Sequence, residues 1–391
     1  MANDLFFSRD TKLVVSDGTS AWEIPVLDGF SFSQATNSSE VTLQEMEAAG
    51  VSRRGRKMFN DSVAPAEWSF STYARPFKGR INGDGTPDAP FAGAWDGTAS
   101  HMHAVEECLW GALVSKSAYV PGVAGTGNGA WATSIANTAA ACTIDFNDSN
   151  TATLKELDIF FIMGAGTYSS GTHQVYKLAK AVVNSASIDF DIDGIATINW
   201  SGFASTITDQ TSQPTVTINE GLNGTNNFIR NRLTTLTVTA EALGSIETAY
   251  SLTLTGGTIS FENNITFLTP ETLGTVNSPI GHVTGNRTIG GSFTCYLSNT
   301  AAAGADLFED LAGSTSVITN DFTLVFDIGG VAAGTPIAPH MQVTLPKCHL
   351  EIPSHSIEDV ISLETTFHAL PGSITAADEA TIVYKGVTIP L

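Results

Sequence analysis

The chain carries the same series of strand-like segments twice. Residues 6–37 and 228–264 each run from an aromatic residue through an alternating strand and a polar turn to a second strand that ends near Asn. Each series continues with a loop, a further strand and one short helical segment, at 101–114 and 304–313. A tandem repeat of one supersecondary unit constrains a fold more than composition does. The sequence therefore predicts two copies of one unit.

Alternating apolar and polar residues dominate both copies, which is the pattern of half-buried strands. The fold class predicted is mainly β, with each unit a β-sandwich or barrel-like pair of sheets flanked by one short α-helix. We expect the first unit at 1–206 with loop insertions, a polar and turn-rich linker at 207–227, and the second unit with a C-terminal tail at 228–391.

Composition agrees with a β-rich body and limits its partners. Of 391 residues, 42% are hydrophobic and only 15% are charged, and the net charge is −21. A body this acidic repels nucleic acid. No apolar run reaches eighteen residues, so no membrane partner is expected. The four cysteines are scattered, which favours buried free thiols over disulfides or zinc.

One segment, SIDFDIDGIATINW (187–200), begins like a calcium-binding loop because it contains Asp189-x-Asp191-x-Asp193-Gly194. The twelfth loop position, which needs a bidentate glutamate, is Trp200. The flanking residues alternate with period two, and the counterpart in the second copy lacks the aspartates. We interpret the segment as strand, with a bulge or a tight turn at Asp193-Gly194, and a calcium site is the alternative. No metal and no cofactor is predicted.

The helical segment 101–114 is predicted to be amphipathic. His101 and His103 at its start are interpreted as surface histidines, and Glu106 and Glu107 are expected on the outer surface. No nucleophile with its base, and no close Cys/His cluster, is present. The sequence predicts no catalytic residue, and the protein is not expected to be an enzyme.

A basic run interrupts the acidic chain. It lies in what the pattern predicts to be a long loop, from about Glu40 to Pro65, between two strands. A basic loop on an acidic body suits contact with another copy of that body; the alternatives are a solvated loop or a nucleic-acid patch. We predict a contact loop for self-association made of Arg53, Arg54, Arg56, Lys57, Met58 and Phe59.

Three stretches resemble one family. NSSEVTLQEMEAAGVSRRGRKMFNDSVAPAEWSFSTYARPF (37–77), DGIATINWSG (193–202) and TGGTISFENNITFLTPETLGTVNSPIGHVTG (255–285) are similar to the major tail-tube protein of T-five-like siphophages, which are phages with long non-contractile tails. The resemblance runs through both halves. A secreted or surface β-sandwich adhesin or carbohydrate-binding protein is the alternative.

The resemblance implies a virion structural protein of the tail, assembled in the host cytoplasm. It implies a duplicated tail-tube unit, a homotrimer ring with quasi-sixfold symmetry, and stacked rings that form a hollow conduit for DNA ejection. The implied partners are other copies of the chain, the tape-measure protein and tail-end proteins, with DNA passing through the lumen without specific binding.

Overall fold

A computed structural model describes residues 5–42, 56–78, 101–120, 130–147, 152–164, 173–216, 218–219, 227–240, 249–313, 321–330 and 338–386. Within these residues the chain is mainly β, as the sequence predicts, with one short α-helix in each half. The helices are α1 (Glu107–Val114) and α2 (Gly304–Gly313).

The strands before residue 220 are β1 (Thr11–Ser16), β2 (Ala21–Ile24), β3 (Ser31–Thr42), β4 (Arg56–Tyr73), β5 (Pro76–Lys78), β6 (Met102–Ala104), β7 (Tyr119–Val120), β8 (Ala130–Trp131), β9 (Ile135–Asn137), β10 (Cys142–Asp145), β11 (Leu157–Met163), β12 (Gln174–Asp191), β13 (Thr197–Ala204), β14 (Thr206–Gln210) and β15 (Ile218–Asn219). Those after it are β16 (Thr235–Ala240), β17 (Ala249–Leu252), β18 (Leu254–Glu262), β19 (Thr266–Leu268), β20 (Gly281–Val283), β21 (Thr288–Tyr296), β22 (Phe322–Ile328), β23 (His340–Leu350), β24 (Ser354–Ser356), β25 (Ser362–Ala369) and β26 (Thr381–Lys385).

Strand pairing repeats between the halves. In the first half, neighbouring strands are paired in the order β2, β1, β11, β12, β13, β4, β3. In the second half the order is β17, β16, β22, β23, β25, β21, β18. Every strand of one series has a counterpart at the same place in the other, and α1 and α2 occupy matching positions in the chain. The repeat seen in the sequence is therefore a repeat of topology.

Each half packs strands that are not hydrogen-bonded to each other face to face. On β11, the Phe161 ring lies 5.3 Å from Phe30 and 4.6 Å from Phe32, although β11 is not paired with β3. Phe326 on β22 lies 5.5 Å from Phe367 of β25. This is the sandwich arrangement, with the core between two layers. One buried apolar cluster extends through both halves.

Further strand pairings lie at the end of each half. β14 pairs with the first part of β12, so the beginning of the predicted linker is a strand rather than irregular chain. From the second half, β26 pairs with β10 of the first half as well as with β23. The pairing of β26 with β10, together with that of β12 with β18, ties the halves into one sheet system. The boundaries given above for the units stay a prediction.

The Asp-x-Asp-x-Asp segment is strand, as predicted, and of the two expected forms at Asp193-Gly194 the structure has the turn. β12 ends at Asp191, Gly194 takes a φ of +111° in the turn, and β13 follows. Only glycine adopts that conformation without strain. At the twelfth position, Trp200 is buried and its Nε1 donates to Thr72 Oγ1 at 3.0 Å.

The first helix differs from the prediction. It begins at Glu107, after strand β6, and all eight of its residues are buried, so it has no solvent face. Trp110 packs edge-on against Trp200 and Phe261, which come from both halves of the chain. Because partners from distant strands surround it, its surroundings do not show in its own sequence. The second helix has the predicted bounds, with Leu307 and Leu311 buried.

Candidate assembly surfaces

A polar face extends across the strands of both halves. Directly opposed residues of neighbouring strands share one face of a sheet. Following the pairing from β3 through β4, β13, β12, β18, β21 and β25 to β24 gives a row in which most side chains are hydroxyl, amide or carboxylate groups. Tyr73, Phe203, Tyr296 and His368 lie in the same row. The hydroxyl, amide and carboxylate residues of the row are Ser31, Ser33, Glu67, Ser69, Ser71, Thr197, Asn199, Ser201, Ser185, Ser187, Asp189, Asp191, Thr258, Ser260, Glu262, Ser292, Thr294, Thr366, Glu364, Ser362, Ser354 and Ser356. We call this set the polar face.

The polar face carries carboxylates, and its residues include no Lys or Arg. Asp189 accepts hydrogen bonds from Asn199 Nδ2 at 2.6 Å and Thr258 Oγ1 at 2.9 Å, which join three strands. Asp189, Asp191 and Asp193 line one open cleft. Among the described residues, no three carboxylate, His or Cys side chains are grouped so that they could hold a metal ion. An acidic surface of this kind repels phosphate.

Strands β3 and β4 extend beyond the sandwich as a two-stranded arm, defined here as residues 35–42 and 56–62. Antiparallel pairing continues along it to Thr42 opposite Arg56, with irregularities after Gln34 and Asn37. Polar contacts join its two strands, including Asn37 Nδ2 to Ser62 Oγ at 2.8 Å. At its base, the Val63 amide donates to the Asn277 carbonyl at 2.8 Å.

The arm contains four of the six predicted contact residues. Arg56, Lys57, Met58 and Phe59 are exposed on β4, while Arg53 and Arg54 lie outside the described residues. The prediction of a loop is therefore wrong for residues 40–42 and 56–65, which are strand. Successive side chains of a strand point to opposite faces, so these four are divided between the two sides of the arm. Their contact role stays a prediction.

Charge and apolar surface lie together on the arm. Arg56 Nη1 is 3.5 Å from Glu40 Oε1, and Lys57 Nζ lies 5.0 Å from the Phe59 ring centre. Met58 is 58% exposed and Phe59 47% exposed. A two-stranded ribbon without a packed face is only marginally stable in water. The arm therefore has the features of a segment that gains partners on assembly.

Two carboxyls expected on the surface are buried. Glu106 and Glu107 precede and begin α1, and both are fully enclosed. The Tyr384 hydroxyl donates to Glu106 Oε1 at 2.5 Å and accepts from Trp110 Nε1 at 2.9 Å. His103, predicted at the surface, is buried with its Nδ1 2.8 Å from Glu107 Oε2. The sequence here shows only a few polar residues within an apolar run. It gave no indication that these two carboxyls and the His103 ring are buried.

Burial raises the pKa of Glu106 to about 7, against an ordinary value of 4.5. The folded chain therefore keeps this proton between pH 4.5 and 7 while the unfolded chain releases it, so this group makes stability fall as pH rises through that window. The difference corresponds to roughly 3 kcal/mol. Glu106→Gln should remove that part of the pH dependence.

The measurement is denaturant unfolding of the wild type and of Glu106→Gln near pH 5 and near pH 8. Glu309→Gln, at an exposed position of α2, is the matched control and should keep the wild-type pH dependence. Parallel pH dependence for Glu106→Gln and the wild type would show that Glu106 does not titrate in this window.

The polar face is the feature that sequence reasoning did not assemble. Its signal is present in short alternating runs such as SFSQ, WSFS and TISFE, where Ser or Thr separates large apolar residues. Alternation identifies each strand and its two sides. It does not give the order of strands in the sheet, and only that order joins the polar sides of eight strands into one surface.

Comparisons with known proteins agree on one family. A family model described as "Phage tail tube protein" matches residues 59–369. The tail tube protein pb6 of Escherichia phage T5 is 30% identical over 383 residues, which cover 95% of this chain and 74% of that protein.

In the described residues, no helix has the length and apolar character needed to cross a membrane.

Proposed function

This chain belongs to the phage tail tube protein family, and from that membership we propose that three copies form a closed ring with six similar units. Rings then stack into a hollow tube through which DNA passes. The chain is a structural component of the virion. The repeated strand order supports the ring, because two similar units per chain supply six similar wedges from three chains.

The polar face carries the proposal of a DNA conduit. It spans both halves, it presents hydroxyls and carboxylates, and its residues include no Lys or Arg. Affinity for DNA comes mainly from cations that neutralise phosphates. A channel lined by this face would repel the backbone and let DNA slide. We therefore assign the polar face to the lumen.

The arm supports the proposal for stacking. It projects from its sandwich and carries cations and exposed apolar side chains on a body whose net charge is −21. Contact with an acidic neighbouring ring would pair the cations with carboxylates and bury the apolar side chains. We infer that the arm, with the predicted contact residues from Arg53 to Phe59, docks on the next ring. The tape-measure protein within the tube and tail-end proteins at its ends are the further partners proposed.

The test is electron microscopy of the purified protein together with its mass in solution. We expect rings that look six-fold at low resolution and have the mass of three 41.0 kDa chains, or about 123 kDa. Rings of six chains with twelve units, or particles that never close, would contradict the proposal.

A further inference from the structure

The internal junction between the halves is a directional strand contact. The last part of β12 pairs antiparallel with β18, with Ser187 opposite Ser260 and Asp189 opposite Thr258. Phe190 lies opposite Gly257 and its ring centre is 5.6 Å from Phe326 of the second half. The contact joins different surfaces of two similar units. Repeated from chain to chain, such a head-to-tail contact forms a closed ring when the rotation between neighbouring units brings the last unit back to the first.

Both sides of this junction have counterparts in the other half. β12 pairs with β11, and β23 pairs with β22. Both pairings contain the same irregularity, one extra residue on β12 and one on β23. Ser187 pairs with Asn199 of β13 as Ser354 pairs with Glu364 of β25. Continuing these registers, residues 187–191 correspond to 354–358. By the pairing of β3 with β4 and of β18 with β21, residues 256–260 correspond to 29–33.

The counterpart edges are open in the single chain. In the described residues, β3 pairs only with β4, and β24 pairs only with β25. The change in exposure follows from this. Phe190 at the internal junction is 4% exposed, whereas its counterpart Ile357 is 79% exposed. An unpaired strand edge beside exposed apolar side chains is a template for a further strand.

We propose that residues 354–358 of one copy pair with residues 29–33 of the next copy, in the register of the internal junction. Ser354 then lies opposite Ser33, Ser356 opposite Ser31, and Ile357 opposite Phe30. The inference rests on the proposed ring and specifies which edges close it. Two copies of this chain, rather than a chain and another protein, fit because the internal junction already shows how the two edges meet.

The apolar contacts of the junction have equivalents at the proposed one. Internally, Phe190 covers a glycine, where an added Cβ would stand 2.7 Å from its ring. At the proposed contact a smaller side chain, Ile357, meets a larger one, Phe30, which already packs 5.3 Å from Phe161. The internal junction thus has a large side chain opposite a glycine, and the proposed contact has a medium-sized side chain opposite a large one. Both arrangements place one aromatic ring at this point of the core.

The polar face supports the same register. Ser31 and Ser33 end this face on one side of the chain, and Ser354 and Ser356 end it on the other. Pairing them makes the face continuous from copy to copy, without a cation at the seam. Pro353, the counterpart of Ala186, cannot donate a backbone hydrogen bond, which limits the ladder to the residues after it.

Cysteine pairs test the register. The backbone N–H of Asn263 donates to the backbone carbonyl of Asn184 at 2.9 Å, so these two residues form a hydrogen-bonded pair of the ladder. Hydrogen-bonded and non-hydrogen-bonded pairs alternate along an antiparallel ladder, so Ser187 and Ser260 form a close non-hydrogen-bonded pair. Their counterparts suit disulfides. The variants are S31C with S356C and S33C with S354C, and the matched off-register control is S31C with S354C. Two residues of offset puts its Cα atoms about 8 Å apart, beyond disulfide reach.

The native cysteines do not interfere, because all four are buried and burial raises the pKa of each thiol, to about 11 for Cys295 and about 12 for Cys348. S187C with S260C should form a disulfide within one chain and serves as the positive control. After mild oxidation, we expect the two on-register variants to run as covalent dimers and trimers on non-reducing gels. Their yield should exceed that of the off-register control by at least ~10-fold.

Electron microscopy of the same samples separates two kinds of failure. Closed rings without on-register cross-links, or with the off-register pair cross-linked best, would overturn this pairing and leave the proposed ring intact. A protein that forms no rings, with the internal control disulfide present, would overturn the proposed ring and the pairing with it.

Discussion

Reversing Arg53, Arg54, Arg56 and Lys57 to Glu is expected to yield a folded chain whose rings no longer stack into tubes. Arg56 and Lys57 are exposed on the arm, away from the buried core, and Arg53 and Arg54 lie outside the described residues. Far-ultraviolet circular dichroism should therefore match the wild type, while electron microscopy should show single rings. The change in assembly is expected to be nearly complete.

The size of the effect comes from repetition. One exposed ion pair contributes about 0–1 kcal/mol, but in the proposed ring of three chains these four residues would bring about a dozen cations to each contact between rings. Reversal removes these attractions and adds repulsion, because the body bears a net charge of −21. It also places a second carboxylate opposite Glu40, which Arg56 now faces at 3.5 Å.

The matched control reverses four exposed cations away from the arm, namely Arg9, Lys116, Lys180 and Arg230. It changes the net charge equally and should still form tubes. Tubes of normal length from the arm variant would refute the docking role of the arm. Loss of tubes in both variants would show that only the total charge matters. Met58→Ser with Phe59→Ser then tests the apolar part, and shorter tubes are expected.

Local pattern predicted the elements whose neighbours are close in sequence. Alternation predicted the strand character around Asp189, and Gly194 indicated a bulge or a turn, because side-chain period and glycine conformation are local properties. The second helix was found with correct bounds since its apolar stripe, with Leu307 and Leu311, faces one layer while the other side is solvated. The repeated order of segments gave the mainly β fold of both halves.

Elements enclosed by distant strands were not predicted correctly. The first helix is surrounded on every side, and Tyr384, which bonds Glu106, lies 278 residues away. No window of sequence around Glu106 contains that partner. The arm was misassigned for the opposite reason. Its strands lack a buried side, so residues 56–61 show no apolar alternation, and pairing with β3 alone makes them strand.

Placing lysines on the polar face is expected to turn a surface that repels DNA into one that binds it. Glu262 and Glu364 are exposed on β18 and β25, within the polar face. Wild-type protein should bind duplex DNA more weakly than the non-specific range of about 10⁻⁴–10⁻⁶ M. Glu262→Lys with Glu364→Lys should bring binding into that range, with affinity falling steeply as salt increases.

A matched control distinguishes the effect of position on the polar face from the effect of total charge. Glu271→Lys with Glu309→Lys makes the same charge change at exposed residues outside the polar face. Fluorescence anisotropy with labelled duplex should show at least ~10-fold tighter binding for the face variant than for this control. Equal affinity of the two variants would mean that the protein's overall charge governs binding.

The shape of the DNA then distinguishes a lumen from an outer surface. Only a duplex with a free end can enter a closed ring, whereas an outer surface contacts linear and covalently closed circular DNA alike. Preassembled tubes of the face variant should therefore retain linear duplex and leave closed circles of the same sequence unbound. Equal retention of both forms would place Glu262 and Glu364 on the outside of the tube and refute the assignment of the polar face to the channel.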